Sequence, residues 1–155
     1  MTGKNVFISH VHEDDKLLQD LKDLLATNGY EIRDGSIDSS KPNEANSEEY
    51  IKAEILAPRI QWAGTTIVLI SPRTHESDYV EWEIEYAHKK EKRIVGVWVQ
   101  GGQDSDIPAN LDDYADAVVG WQADRVMDAI TGKINNWFGP EGLERPPRDI
   151  PRHKC

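Results

Sequence analysis

Five short apolar runs, set apart by stretches of helical period, limit most strongly what this chain can fold into. The runs fall at residues 4–9, 29–34, 65–70, 93–99 and 117–120. The third, Thr65-Thr66-Ile67-Val68-Leu69-Ile70, holds no charge and is bounded by Gly64 and Ser71-Pro72, as a short buried strand should be. Leucines at 17, 18, 21, 24 and 25 give residues 13–28 one apolar helical face, which Asn28-Gly29 stops. Residues 47–62 read as a second helix, with Tyr50, Ile51, Ile55 and Ile60 inward and Pro58 bending or interrupting it. Residues 78–90 and 124–138 complete the helical set, with Ser77 or Asp78 as N-cap of the former.

Strands that alternate with helices at these lengths build a parallel sheet covered on both faces. Five such units in about 140 residues suit an α/β, flavodoxin-like doubly wound order, 2-1-3-4-5, with its switch point between strands 1 and 3. That order gathers Ser9-His10, residues 34–40, residues 71–73 and the start of the 78–90 helix on one rim. The loop after strand 2, rich in turn-forming residues including Ser36, is long enough to be functional rather than idle. A second loop runs from Gln100 to about Asn110. From Gly139 onward four prolines and no apolar period mark a loosely ordered, Pro/Arg-rich tail, so the folded domain is assigned to 1–138 and the tail to 139–155.

One residue breaks the pattern. On a wheel at about 100° per residue, Tyr79, Val80, Trp82, Ile84, Tyr86 and Ala87 share a broad apolar arc, while Glu81, Glu85 and His88 lie opposite. Glu83 falls in the middle of the apolar arc. A carboxylate there is costly unless it is paired, hydrogen-bonded, protonated or lining a cleft. It either caps a neighbouring loop or pairs with an arginine, or it works on the wall of a pocket at the edge where open α/β sheets bind ligands.

Charge narrows the function classes. With 28 Asp and Glu against 18 Lys and Arg, a net charge of −10 and no basic stripe, neither nucleic acid nor a membrane surface is an expected partner. The basic run from His88 to Arg93 suits the end of a helix. Cys155 is the sole cysteine, which excludes a disulfide framework within one chain. No leader-like or membrane-spanning run is read, and a soluble, cytoplasmic protein is expected. His10-x-His12 lacks a third ligand at metal spacing, so no metal is expected. There is no GxGxxG after the first strand and no GxxxxGK[ST], hence no dinucleotide grip or P-loop and no resident cofactor. Ser9 and Ser71 lack a recognisable nucleophile elbow, and strand 3 ends in Ser71 where a phosphoacceptor would need Asp.

What remains is one carboxylate among rings: Glu83 with Tyr79, Trp82 and Tyr86, near Phe7, Ser9 and Asp34. A lone glutamate in that setting suits an N-glycosidic substrate reacting through an oxocarbenium-like state. If the leaving group is already cationic, as nicotinamide is in NAD, no general acid is needed and one carboxylate suffices.

These residues bring a resemblance into view. Val6-Phe7-Ile8-Ser9-His10 with Glu13-Asp14-Asp15 behind it, Ala63 to Ser71, Tyr79-Val80-Glu81-Trp82-Glu83-Ile84 and Lys92 to Val97 resemble TIR domains, and more closely the bacterial TIR-like proteins of the Thoeris antiphage type. The resemblance covers residues 4–120. It implies that Glu83 is the catalytic residue for cleaving NAD, as substrate, between nicotinamide and ribose. It implies further that the product is an ADP-ribose-derived signal, cyclic or conjugated, that activates a separate effector after a phage-derived trigger. Phe7, Ser9 and His10 would line the pocket, with Tyr79 and Trp82 in support. Asp34 and Ser36 would belong to the loop that shapes the pocket and mediates TIR–TIR self-association, although that loop is richer in Ser and Asn here than in many members. Two other readings stay open: a non-catalytic TIR adaptor acting through protein contacts, and a nucleoside-processing N-glycosidic enzyme of similar fold.

Overall fold

In the computed structural model, which describes residues 4–11, 14–30, 32–34, 56–72, 74, 77–99, 106–139 and 144–145, the central apolar run becomes β3, Thr65–Ile70, with every residue buried. A strand with no exposed face belongs inside a sheet that helices cover on both sides. It pairs in parallel with β1, Lys4–Ser9, and with β4, Arg93–Trp98. Outside these lie β2, Ile32–Asp34, next to β1, and β5, Ala117–Val119, next to β4, again in parallel. The order 2-1-3-4-5 and the doubly wound α/β class are therefore those expected from the sequence.

Alternation along the strands sorts the side chains into two layers. On one face Val6, Ile8, Ile67, Leu69, Val95 and Val97 meet Leu18, Leu21 and Leu25 of α1, Asp15–Thr27, and Val126, Ala129 and Ile130 of α5, Ala123–Thr131. The other face carries Phe7, Val68, Ile70, Ile94, Trp98 and Val118. It is covered by α2, Ala57–Trp62, α3, Asp78–Lys89, and α4, Ala109–Tyr114. Of the two cap candidates for α3, Ser77 does the work: its hydroxyl accepts the Val80 N–H at 3.2 Å.

The chain departs from the sequence reading after β4. α4 lies partly in the stretch read as loop; Leu111 is fully buried, and the Asn110 side-chain amide donates to the Glu81 carbonyl at 2.9 Å. Six residues are too few to display a period. The last helix stops at Thr131 rather than running to Phe138, because Gly132 takes φ 93° and the N–H groups of Lys133 and Ile134 turn back to the Asp128 carbonyl. Arg93 fastens that turn, donating to the carbonyls of Ala129 at 2.6 Å and Ile134 at 2.8 Å. The freed segment forms β6, Trp137–Phe138, parallel to β5, and β7, Glu144–Arg145, antiparallel to β6. Trp98 locks β6 in place, its indole N–H donating to the Phe138 carbonyl at 2.7 Å.

Pro58 stands in the first turn of α2, where a missing N–H costs nothing. The expected helical residues 47–55, the loop after β2 with Ser36, His12, Arg73, residues 100–105, and the tail apart from Gly139 and β7 lie outside the described residues. Among the described residues no helix is long and apolar enough to cross a membrane.

Two core positions test this packing with opposite signs. A Cβ on Gly96 would meet Ile70 Cδ1 at 3.0 Å, Leu111 Cδ2 at 3.1 Å and Val118 Cγ2 at 3.3 Å. Gly96→Val is expected to lower stability by about 1–3 kcal/mol through overpacking. The Thr66 hydroxyl is buried with no hydrogen-bond partner among the described residues, so Thr66→Val should raise stability by about 1 kcal/mol. Urea unfolding at unchanged m-value measures both.

Candidate active site

Strand alternation and helix period meet at one contact. Phe7 and Ser9 are two residues apart on β1 and project toward the layer that α3 covers. Along α3, Val80, Ile84 and Ala87 are fully buried in that layer, and Glu83 lies between them with 6% of its surface exposed. Ser9, also buried, donates its hydroxyl to Glu83 Oε1. This is the only hydrogen bond to the Glu83 carboxylate among the described residues. Of the readings open for Glu83, pairing with an arginine therefore finds no support among those residues.

Burial raises the Glu83 pKa from the ordinary carboxylate value to about 8, and the Ser9 hydrogen bond works weakly against that rise. No charged side chain among the described residues contributes in either direction. The site thus holds an acid whose burial favours the neutral form around pH 7. A group with that property at a sheet's carboxyl edge is a candidate for chemistry.

A second polar cluster occupies the neighbouring strand end. Ser71, three residues beyond the level of Ser9 in the β1–β3 register, donates its hydroxyl to Asp14. Its backbone N–H donates to Thr74 Oγ1 at 2.8 Å, and the Thr74 hydroxyl donates to the Leu69 carbonyl at 2.7 Å. Asp14, 1% exposed, makes no side-chain cap bond to α1. Its contact instead ties the entry of α1 to the exit of β3, across the switch point. The sequence reading places Asp14 inside the first turn of the 13–28 helix and holds no signal for this role.

The other expected site residues are distributed around this pair. Phe7 is 1% exposed and belongs to the core beneath Ser9, so it shapes the site from below. His10 follows Ser9 directly and is half-buried, with Nδ1 3.2 Å from the Ile8 carbonyl, a contact that requires the proton on Nδ1. Tyr79 and Trp82 are half-buried against the same layer, and Trp82 stacks on Tyr86 with centroids 5.0 Å apart and planes 14° apart. Asp34 closes β2 level with Val6; its side chain and Ser36 lie outside the described residues. Glu81 and Glu85 are exposed on the outer side of α3, as the wheel requires.

A cleft of about 600 Å³ opens at the opposite edge, where Arg93 starts β4 and Asp116 precedes β5. Its wall includes His88 and Tyr114, stacked 3.8 Å apart. The size suits a small molecule, but Ser9 and Glu83 lie at the other rim. The buried acid at that other rim is therefore separate from this cleft.

Residues 7–104 match the family described as "Thoeris protein ThsB, TIR-like domain". A comparison with curated protein sequences finds no match. Among solved structures the chain is similar to a conserved protein from Enterococcus faecalis, at 13% identity and TM-score 0.55 over 86% of this chain and 100% of that one, which shows the fold. It is also similar to the TIR domains of the activated Roq1 resistosome directly recognising the pathogen effector XopQ, at 20% identity and TM-score 0.45. That match covers 62% of this chain and only 57% of the other. A CMP N-glycosidase from Clostridium botulinum, BcmB, is similar at 16% identity and TM-score 0.46, over 76% of this chain and 87% of that one. At those two scores neither likeness carries an argument.

The raised pKa of Glu83 has a thermodynamic signature. The folded chain holds the proton up to about pH 8 while the unfolded chain releases it near the ordinary glutamate value of 4.5. The native state therefore binds more protons in that window, and stability falls as pH rises, by up to about 1.4 kcal/mol per pH unit. Glu83→Gln is expected to melt like the parent near pH 5 and above it at pH 8, with differential scanning calorimetry as the measurement.

Proposed function

The chain belongs to the TIR-like domain family of the Thoeris protein ThsB, and from that premise we propose that it cleaves NAD between nicotinamide and ribose. The observation that supports this most is the buried Glu83 carboxyl on an apolar helix face, held by the Ser9 hydroxyl at the end of β1. As the C1′–N bond breaks, its electron pair goes to the pyridinium nitrogen and nicotinamide leaves neutral. The ribosyl oxocarbenium ion left behind is stabilised by an ionised Glu83 in a site of low polarity. A hydroxyl then adds at C1′ and loses its proton. Water gives ADP-ribose, an internal hydroxyl a cyclic product, and a second molecule a conjugate.

In this reading the product is a signalling nucleotide of antiphage defence that activates a separate effector. The protein fires after a phage-derived trigger and self-associates through TIR–TIR contacts, with NAD as substrate and no resident cofactor. Product identity follows from how the adenosine half is held, for which the loop carrying Asp34 and Ser36 is the proposed determinant, along with His10 and Ser71.

One observation favours a second reading, a non-catalytic adaptor. Trp62, at the end of α2, is 46% exposed, the sole large hydrophobic side chain so exposed among the described residues, and tryptophan is a side chain enriched at protein interfaces.

Incubation of concentrated protein with NAD, followed by mass spectrometry of nicotinamide and ADP-ribose products, separates the two. The parent is expected to release nicotinamide and Glu83→Gln to lose at least about 100-fold in turnover, while Glu81→Gln and Glu85→Gln stay near the parent. Equal losses at all three glutamates would sink the site assignment. No nicotinamide release even in lysate of phage-infected cells would leave the adaptor.

A further inference from the structure

A buried acid whose described partner is neutral can hold its site in either protonation state. The Ser9 hydroxyl donates to a carboxylate and, turned about its C–O bond, can also accept from a carboxylic O–H. An arginine or lysine in its place would have fixed the ion permanently. Glu83 is therefore built to change charge without losing its anchor, and the neighbouring residues add nothing that would hold one state. The charged groups described on the surrounding elements are His10 after β1, Asp14 at the entry of α1, Arg59 on α2, Glu81 and Glu85 on the outer side of α3, and Asp106 and Asp113 around α4. His10 spends Nδ1 on the Ile8 carbonyl, Asp14 takes the Ser71 hydroxyl, and the outer glutamates face away. None of them alters the proton affinity of Glu83, which burial and Ser9 set between them.

We propose that Glu83 rests in its protonated form and yields its proton to solvent when a positively charged base docks beside it, so that the Ser9–Glu83 pair selects N-glycosides of cationic heterocycles over those of neutral ones. The inference rests on the reading of the reaction given above and adds how the site chooses its substrate. A unit positive charge about 4 Å from the carboxyl, at the effective polarity typical of proteins, lowers a pKa by about three pH units. That is enough to carry Glu83 from about 8 to well below neutrality. One proton leaves for each cation bound, and the carboxylate appears only when there is an electrophile for it to stabilise. As the glycosidic bond breaks, the positive charge moves from the ring nitrogen to the ribose, still beside the carboxylate. A base without charge leaves the acid neutral and the oxocarbenium ion unsupported. Oxidised NAD meets the requirement; reduced NADH, whose dihydropyridine ring is neutral, and ordinary pyrimidine nucleosides do not.

Calorimetric titration of the full chain at pH 7, in two buffers of different ionisation enthalpy, counts the protons. Close to one proton released per NAD bound is expected, none with NADH, and none from Glu83→Gln with NAD. The pH profiles give the second readout. Below about pH 8, kcat/KM, which reports the free protein, should fall tenfold per unit, while kcat, which reports the complex, should break about three units lower. Ser9→Ala removes the bond that restrains the rise and should move the kcat/KM break upward, a displacement that mere loosening of the site would not produce. Nicotinamide release with both profiles breaking at one pH, or equal proton release with NAD and NADH, overturns the proton exchange and leaves NAD cleavage standing. No nicotinamide under any condition overturns both.

Discussion

A parallel strand buried on both faces can carry polar chemistry only at its ends, and β3 imposes that rule on the whole molecule. Within the strand, the one polar side chain that is fully enclosed, Thr66, goes without a partner among the described residues. Just past its end, Ser71 and Thr74 satisfy one another and Asp14. β1 follows the same rule, with three core residues in a row, Val6, Phe7 and Ile8, and then Ser9. The doubly wound order sets β1 and β3 side by side with their following helices on opposite faces, so these two polar ends share the switch point. Glu83 is the exception that the rule makes conspicuous: it enters the apolar layer from a helix and finds its donor at a strand terminus.

Much of this was legible in the residues. Apolar runs and leucine spacing specify the five-strand order because both layers depend on period alone, and the wheel exposes Glu83 because a charge in an apolar arc needs a reason. The contacts that give Glu83 and Asp14 their settings were not legible, because their partners stand 74 and 57 residues away in the chain and are fixed by strand register. The end of the last helix depended on a left-handed Gly132 and on acceptors that Arg93 reaches from β4. A glycine after a helical period is a stop signal, but the apolar Ile134, Trp137 and Phe138 beyond it prolong the apparent pattern. α4 was hidden by its length. Phe7, which the resemblance places on the pocket wall, is 1% exposed and packs in the core layer that α3 covers.

The two buried acids near the switch point differ in a way that composition cannot reveal. Asp14 lies at the entry of a helix, where unpaired N–H groups make the surroundings positive, and it joins a cluster of hydroxyls. Glu83 lies past the first turn of α3, between Val80, Ile84 and Ala87. A polar setting suits an acid that joins two loops, and an apolar one suits an acid whose charge is to be controlled. The same residue chemistry thus gives a fastening in one place and, in the other, the group proposed to react, one strand apart.

The outer strands of the sheet carry a consequence of their own. β2 contributes three described residues at one edge and β7 two at the other, where β6 has already reversed the strand direction. Strand addition needs a run of free backbone donors and acceptors, and edges this short offer little template for it. Among the described residues, helix faces therefore offer copies of the domain more meeting surface than strand edges do. Such contacts can form and release without rebuilding the sheet, which keeps association separate from the cross-β aggregation that long open edges invite.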